Sequence, residues 1–243
     1  MKFGIFSTLS NPLLPLLLDR LHELLIKDFF IVLDDKDFSS KEKEIWLART
    51  GGELGFGLTL SDLSKYQTPF YFVADHNGID CINLLKRLSP KLMVNAGTPR
   101  KLKQEILDIP FLGFLNVHPG VLPKYRGSSC VEWAILNDDL IGNSAHFMTS
   151  EYDQGPVIDL EIIGVTNADN YMNIRINVYK SWIGLISRSI IKVLPLKDKP
   201  DPILDVGPKS IFSSIGKAEM LQVVEKISSG SYIQALTYKA EIK

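Results

Sequence analysis

Two short polar motifs within one stretch, Gly113 to Ile158, most constrain how this chain can fold. Asn116-x-His118-Pro119 ends one apolar run, and Asp153-Gln-Gly-Pro156 follows another. Between them lie a Gly/Pro-rich loop with basic residues, a short helical run and a strand. A fold that brings the two motifs together assembles an amide, an imidazole and a carboxylate, the groups an acyl transfer requires. When an amine attacks a carbonyl, the carbonyl oxygen becomes anionic and a fixed N–H donor must meet it. The Asn116 side chain offers one without changing its charge. The attacking ammonium must shed a proton, and an imidazole accepts one near neutral pH. A carboxylate such as Asp153 would fix the His118 tautomer and favour its protonated form. Each residue alone has an ordinary structural explanation as a turn amide, a structural histidine or a bend. In combination the chemical reading prevails.

The surrounding pattern is that of an α/β protein. Lys2 to Ser7 reads as a strand, and Ser10 or Asn11 can cap a helix with Leu14, Leu17, Leu21, Leu24 and Leu25 on one side. Phe29 to Leu33 is a second strand, so the chain opens as strand–helix–strand and a parallel sheet is expected. Further strands are expected at Phe70 to Ala74, Lys91 to Ala96, Ser144 to Thr149 and Val157 to Val165. Helices are expected at Lys41 to Arg49, Ile79 to Leu88, from about Lys101, at Val131 to Leu136 with Ser128 as cap, and at Asn167 to Leu194. The charged, proline-rich Lys197 to Pro202 marks a boundary, followed by a strand-like Ser210 to Ile215 and a helix near Ala218 to Ile227. The turn after the first strand is Thr8-Leu9-Ser10-Asn11, without the glycines of a dinucleotide-binding fingerprint, which argues against NAD or FAD.

Composition narrows the remaining classes. The formal net charge of −1 gives no electrostatic reason to expect nucleic acid as a partner. Cys81 and Cys130 have neither the spacing nor the neighbours of a disulfide framework or a metal site, and read as reduced thiols. The apolar N-terminus is broken by Ser7, Thr8, Ser10, Asn11 and two prolines, unlike a secretory signal. No run is long and uncharged enough to span a bilayer. The expected setting is cytoplasmic, with no metal and no membrane.

The run from Asn116 through Arg126-Gly127, then Glu132-Trp-Ala-Ile, then His146-Phe-Met-Thr-Ser-Glu-Tyr-Asp153-Gln-Gly-Pro-Val-Ile158, resembles the formyltransferases that use 10-formyltetrahydrofolate. The resemblance spans roughly residues 1 to 165 and is densest from 91 to 158. It implies a doubly wound, Rossmann-like α/β formyltransferase fold, with a catalytic domain at 1–195; the boundary at Lys197 to Pro202 leaves 196–243 as a small C-terminal appendage, too small for its own core and expected to pack on the parent domain or on a second copy in a dimer. It implies a catalytic set of Asn116, His118 and Asp153. The donor would be held by Arg100, Lys101 and Leu102, chiefly through backbone groups, and by Thr149 and Tyr152. For Arg100, a solvated charge at a helix start is the competing reading. Lys124 and Arg126, with Gly120, form the loop expected to meet an anionic acceptor. His76 and Asn77, at a strand's carboxyl end, read either as an acceptor contact or as a plain loop. His146 reads as a satisfied core histidine.

Within that family, length and charge favour one branch. Too few residues follow Leu194 for the tRNA-binding domain of methionyl-tRNA formyltransferase. A first strand at Lys2 leaves no place for the regulatory domain of deformylating relatives. The expected acceptor is a nucleotide-linked amino deoxysugar, for example dTDP-4-amino-4,6-dideoxyglucose, used for surface polysaccharide, and the expected assembly is a homodimer. Two alternatives stand beside this: a glycinamide ribonucleotide transformylase-like enzyme with an altered phosphate cradle, and a non-catalytic folate- or nucleotide-binding module.

Overall fold

The computed structural model describes residues 3–166, 168–203 and 211–232. The first half alternates strand and helix: β1 (Phe3–Thr8), α1 (Leu13–Glu23), β2 (Phe29–Asp34), α2 (Ser40–Thr50), α3 (Leu60–Ser64), β3 (Phe70–Val73), α4 (Ile79–Leu88), β4 (Leu92–Asn95) and α5 (Gln104–Leu107). The second half comprises β5 (Phe114–His118), β6 (Arg126–Gly127), α6 (Cys130–Leu136), β7 (Gly142–Phe147), β8 (Val157–Ile162), α7 (Tyr171–Val193), β9 (Ile211–Phe212) and α8 (Lys217–Ser228). Seven strands form the main sheet in the order β3-β2-β1-β4-β5-β7-β8, while β6 and β9 pair separately.

Every residue of β1 and β2 is buried, as in a parallel strand covered on both faces. On one face, Leu14, Leu17, Leu18 and Leu21 of α1 meet Trp182, Ile186 and Ile190 of α7 over the strands. On the other, Cys81, Ile82 and Leu85 of α4 join Ile106 of α5. The fold is therefore doubly wound. Strands β1 to β5 of the main sheet run parallel, whereas β7 and β8 are antiparallel. Strand order reverses between β1 and β4, and the crevice at such a switch point is where open α/β sheets receive ligands.

Some boundaries differ from the sequence reading. The helix after β4 begins at Gln104 rather than near Lys101, so residues 101–103 stand outside it, with Lys103 extended. Ser129, not Ser128, stands at the start of α6 in a left-handed conformation, and its hydroxyl accepts from the Ile215 N–H instead of capping the helix. The long helix starts at Tyr171, with the Asn170 side chain accepting from the Asn173 N–H; Asn167 lies outside the described residues, as do Lys2 and Ser210. No helix among the described residues is long and apolar enough to cross a membrane.

The expected appendage packs on the body. Val223, Ile227 and Tyr232 join Tyr125, Val131, Ile135 and Val178 in one cluster, and the Tyr232 hydroxyl donates to the Asp139 carbonyl at 2.6 Å. Val223 is fully buried, so Val223→Ala should cost about 2 kcal/mol from lost methyl burial and the residual cavity. Urea unfolding checks this. Because the packing is within one chain, the loss should be the same at every protein concentration, and a loss seen only at low concentration would contradict it.

Candidate active site

Strand periodicity places Asn116 and His118 on the same side of β5, two residues apart. Antiparallel pairing then sets His146 of β7 opposite Asn116. A directed chain of hydrogen bonds follows. The Thr98 N–H donates to Asn95 Oδ1 (2.8 Å), Asn95 Nδ2 to Asn116 Oδ1 (3.0 Å), and Asn116 Nδ2 to His146 Nε2 (3.0 Å). His146 Nδ1 in turn meets the Phe147 carbonyl at 3.0 Å. The ends are a backbone N–H and a backbone C=O, whose polarity is fixed, so every amide orientation and the His146 tautomer between them are fixed as well. One N–H of the Asn116 amide is consumed by His146. The other remains for a ligand oxygen.

Burial holds His146 neutral, pushing its pKa to about 4 against the attraction of Asp153. A neutral Nε2 can accept from Asn116, whereas a charged ring could not. His118 is anchored differently. Its Nε2 lies 2.8 Å from the Tyr125 carbonyl, which only accepts, so that nitrogen carries the proton. Nδ1 then faces Asp153 Oδ1 at 3.4 Å, and the other Asp153 oxygen accepts from the Gly127 N–H at 2.9 Å. The His118 tautomer is thus set by Tyr125 and not by Asp153, a correction to the sequence reading. Asp153 can pair with a proton gained at Nδ1. Its backbone is left-handed (φ 51°), and a side chain at Gly155 would run into the Phe147 carbonyl, which accounts for the Asp-Gln-Gly turn.

These groups open into a cavity of about 480 Å³ that Leu102, Thr149 and Tyr152 also line. Among the described residues the N–H and C=O of Leu102 have no hydrogen-bond partner, which suits a strand-like edge for a flat heterocycle with donors and acceptors. Lys101 lies 4.9 Å from the Tyr152 ring centre, and the Thr149 hydroxyl donates to the Glu151 carbonyl. A second cavity, of about 500 Å³, borders the first at Thr98 and Ser128 and includes Phe38, Trp46, Arg49 and Tyr179.

Several expected contacts are placed elsewhere. Arg100 lines the first cavity with Lys101, as expected, but it is not a free surface charge: its Nε donates to the buried Asp34 at 2.7 Å and its Nη2 to the Ala74 carbonyl at 2.9 Å, tying three strand ends together. His76 is fully buried, stacked 4.0 Å from Phe6, with its ring nitrogens 3.0 Å from the Val32 carbonyl and the Thr98 hydroxyl. Burial lowers its pKa, and it supports Thr98 rather than meeting a ligand. The Asn77 side chain donates to the Lys101 carbonyl and accepts from the Lys103 N–H, so it holds the Leu102 turn. Lys124 is paired with Asp139 at 2.6 Å, away from the cavity. Arg126 is fully buried and donates to the Tyr152 carbonyl at 2.9 Å. Gly120 is buried beneath His118, where a Cβ would come within 2.7 Å of Nε2. His76, Asn77, Gly120, Lys124 and Arg126, expected to meet the acceptor, are thus engaged within the protein instead.

Other residues at the site were not singled out from sequence. Asn95, whose only signal was its place at the end of β4, orients Asn116. Ile211 and Phe212 line the first cavity from the far end of the chain. Glu132 is buried between Arg175 (3.7 Å) and Arg49 (3.4 Å). Burial raises its pKa, but both guanidiniums and the Tyr171 hydroxyl outweigh this and hold it at about 2. Cys81 and Cys130 are free and buried, and no metal-ligating cluster occurs among the described residues.

The neutral His146 has a thermodynamic signature. Its folded pKa is about 4 against 6.5 when exposed, so the unfolded chain binds the extra proton between those values. Its contribution is therefore complete above about pH 6.5 and declines as pH falls towards about 4. Urea titrations across that window should show wild type losing stability more steeply than His146→Gln, and parallel curves would contradict the assignment.

A family sequence model described as formyl transferase matches residues 74–181. A methionyl-tRNA formyltransferase of Borrelia duttonii (strain Ly) is 37% identical over 116 residues, covering 47% of this chain and 38% of that protein. The matched part is thus well under half of that relative's length. Among solved structures, a sugar N-formyltransferase from Shewanella sp FDAARGOS_354 superposes with a TM-score of 0.62 at 14% identity, covering 93% of this chain and 88% of that one. Glycinamide ribonucleotide transformylase 1 from Symbiobacterium toebii superposes with a TM-score of 0.58 at 18% identity, covering 78% and 85%. At such identities the superpositions show the shared fold, and the sequence match places a formyl transferase domain at residues 74–181.

Proposed function

We propose that this chain transfers a formyl group from 10-formyltetrahydrofolate to the primary amine of a nucleotide-linked amino deoxysugar. The observation that carries the reaction class is the Asn116 amide, locked in orientation with one N–H uncommitted, beside the His118–Asp153 pair. The donor supplies an activated formyl carbonyl. The free Asn116 N–H meets the negative charge that develops on the formyl oxygen as the amine nitrogen bonds to the formyl carbon. His118 takes the amine's proton at Nδ1, where the Asp153 carboxylate stabilises the resulting imidazolium. The bond from the donor nitrogen to the formyl carbon breaks, and a proton returns to that nitrogen. Two adjoining cavities suit a transfer between two bound molecules, with the pterin against the Leu102 backbone and the acceptor entering from the side of Trp46 and Arg49.

The choice of acceptor rests on what surrounds the second cavity. The Asn11 side chain is occupied, donating to the Gly97 carbonyl and accepting from the Leu13 N–H, and the turn before it has no glycine to wrap a ribose phosphate. Near-neutral charge does not favour a tRNA, whose binding needs many phosphate contacts. A compact nucleotide-linked sugar fits these limits, and the proposed setting is surface polysaccharide synthesis. Glycinamide ribonucleotide is the runner-up. Assaying both acceptor types with 10-formyltetrahydrofolate decides between them, and turnover of glycinamide ribonucleotide alone would reverse the choice.

Three kinetic outcomes follow. Asn116→Ala, folded, should lose about 10²–10³-fold in kcat, as for one oxyanion donor. Asp153→Asn should be severe as well, because a proton gained by His118 would lose its partner charge; near-native turnover in both would remove the proposed roles. Arg100→Ala, which the sequence alone would rate as mild, should raise the donor KM roughly tenfold, the scale of one lost charge-assisted hydrogen bond, by releasing the turn that presents Leu102. An unchanged donor KM in that variant would contradict the role of the clamp.

A further inference from the structure

His118 and Asp153 are each fixed through the backbone of one short segment, by the Tyr125 carbonyl and the Gly127 N–H. That segment is itself held by the far end of the chain. β6 pairs in parallel with β9, in the register Arg126↔Ile211 and Gly127↔Phe212. The Ser128 N–H donates to the Phe212 carbonyl at 2.9 Å, and the Phe212 ring stacks on Tyr125 with centroids 5.2 Å apart and planes 17° apart. Trp133 covers the same ring at 5.6 Å, and its Nε1 donates to the Ser213 carbonyl at 2.9 Å. The approach is close enough to exclude a side chain at Gly127, whose φ is +92° and where a Cβ would run into the Phe212 carbonyl. Tyr125 is thus held at its hydroxyl by Asp139 and across its ring by Phe212.

We infer that Phe212 is a positioning residue of the active site, holding Tyr125 to Gly127 in the place where they fix the His118 tautomer and the Asp153 carboxylate. This rests on the transfer reading given above, and it assigns the segment expected to be a dimerisation appendage a part in the catalytic geometry of its own chain. Removing the Phe212 ring leaves Tyr125 free to shift against Asp139, and the Tyr125 carbonyl moves with it. His118 then loses the acceptor that selects its Nε2–H form, and its Nδ1 no longer faces the carboxylate at a fixed distance. A displacement of this kind falls first on His118 and Asp153, so it affects turnover more than donor binding, which rests chiefly on the Leu102 backbone.

The test uses full-length protein labelled with 15N-histidine. In wild type the His118 nitrogen shifts should report the Nε2–H tautomer. In folded Phe212→Ala they should move towards the average of the two tautomers, and kcat should fall roughly 10²-fold with a smaller change in donor KM. Phe212→Tyr, which keeps the stack, should restore both. Unchanged His118 shifts with kcat within about twofold of wild type would overturn the inference, since misplacement on this scale costs far more. A fall in kcat with unchanged His118 shifts would also overturn it, because Phe212 would then act on the substrate directly. If Phe212→Ala does not fold, Phe212→Leu, which keeps apolar bulk but loses the ring stack on Tyr125, is judged by the same limits. Absence of formyl transfer by wild type to any acceptor would sink the proposed function alone, and the nitrogen shifts would still decide the positioning claim.

Discussion

The antiparallel pairing of β7 with β5 is the constraint on which the site depends. A sheet that is otherwise parallel up to β5 takes in a strand of opposite direction, and the register sets His146 directly across from Asn116. A slip of one residue would turn every side chain of β7 to the other face. The imidazole would leave the Asn116 amide, and the chain of bonds from Thr98 to Phe147 would break in the middle. Burial of His146 reinforces the arrangement by keeping the ring neutral, so that it accepts from Asn116 instead of competing with it as a donor. An amide in a solvated turn would spend conformational entropy at each turnover that this one has already lost in folding.

Buried charge supplies the remaining order around the two cavities. Asp34, fully enclosed at the end of β2, accepts from the Lys36 and His76 N–H groups and from Arg100. Burial raises its pKa, but these donors more than offset that and leave it lowered. On the other side, Glu132 joins α6 to α7 and α2 through Arg175 and Arg49. Breaking one member of such a cluster leaves an uncompensated buried charge, so the cluster fixes the relative positions of its helices more surely than it adds stability. Both clusters lie just behind cavity walls, where shifted helices would change the shape presented to a substrate.

Much of this was legible in the sequence because it is local. The alternation of strands and helices, the parallel sheet and the edges of α4 followed from apolar period and turn residues, and the family resemblance implied the double winding. The two motifs announced their chemistry because three reactive residue types stood at the ends of apolar runs. Roles that depend on long-range packing were not legible. His76 and Asn77 stood where α/β sheets bind ligands, yet their side chains are spent on Thr98 and on the Leu102 turn. Lys124 and Arg126 had the right charge for an anion, but neighbouring Asp139 and the Tyr152 carbonyl claim them. The parallel pairing of β6 with β9 joins segments more than eighty residues apart and has no local signature at all.

The central claim is that the Asn116 amide and the His118–Asp153 pair converge on one bound formyl group. A crystal structure with a folate analogue that cannot release its formyl group tests this most directly. The account predicts the pterin against the Leu102 backbone and the formyl oxygen within hydrogen-bond reach of Asn116 Nδ2, with the His118–Asp153 pair on the carbon's open side. An analogue seated in the cavity of Trp46 and Arg49, or one whose formyl oxygen faces away from Asn116, would contradict it.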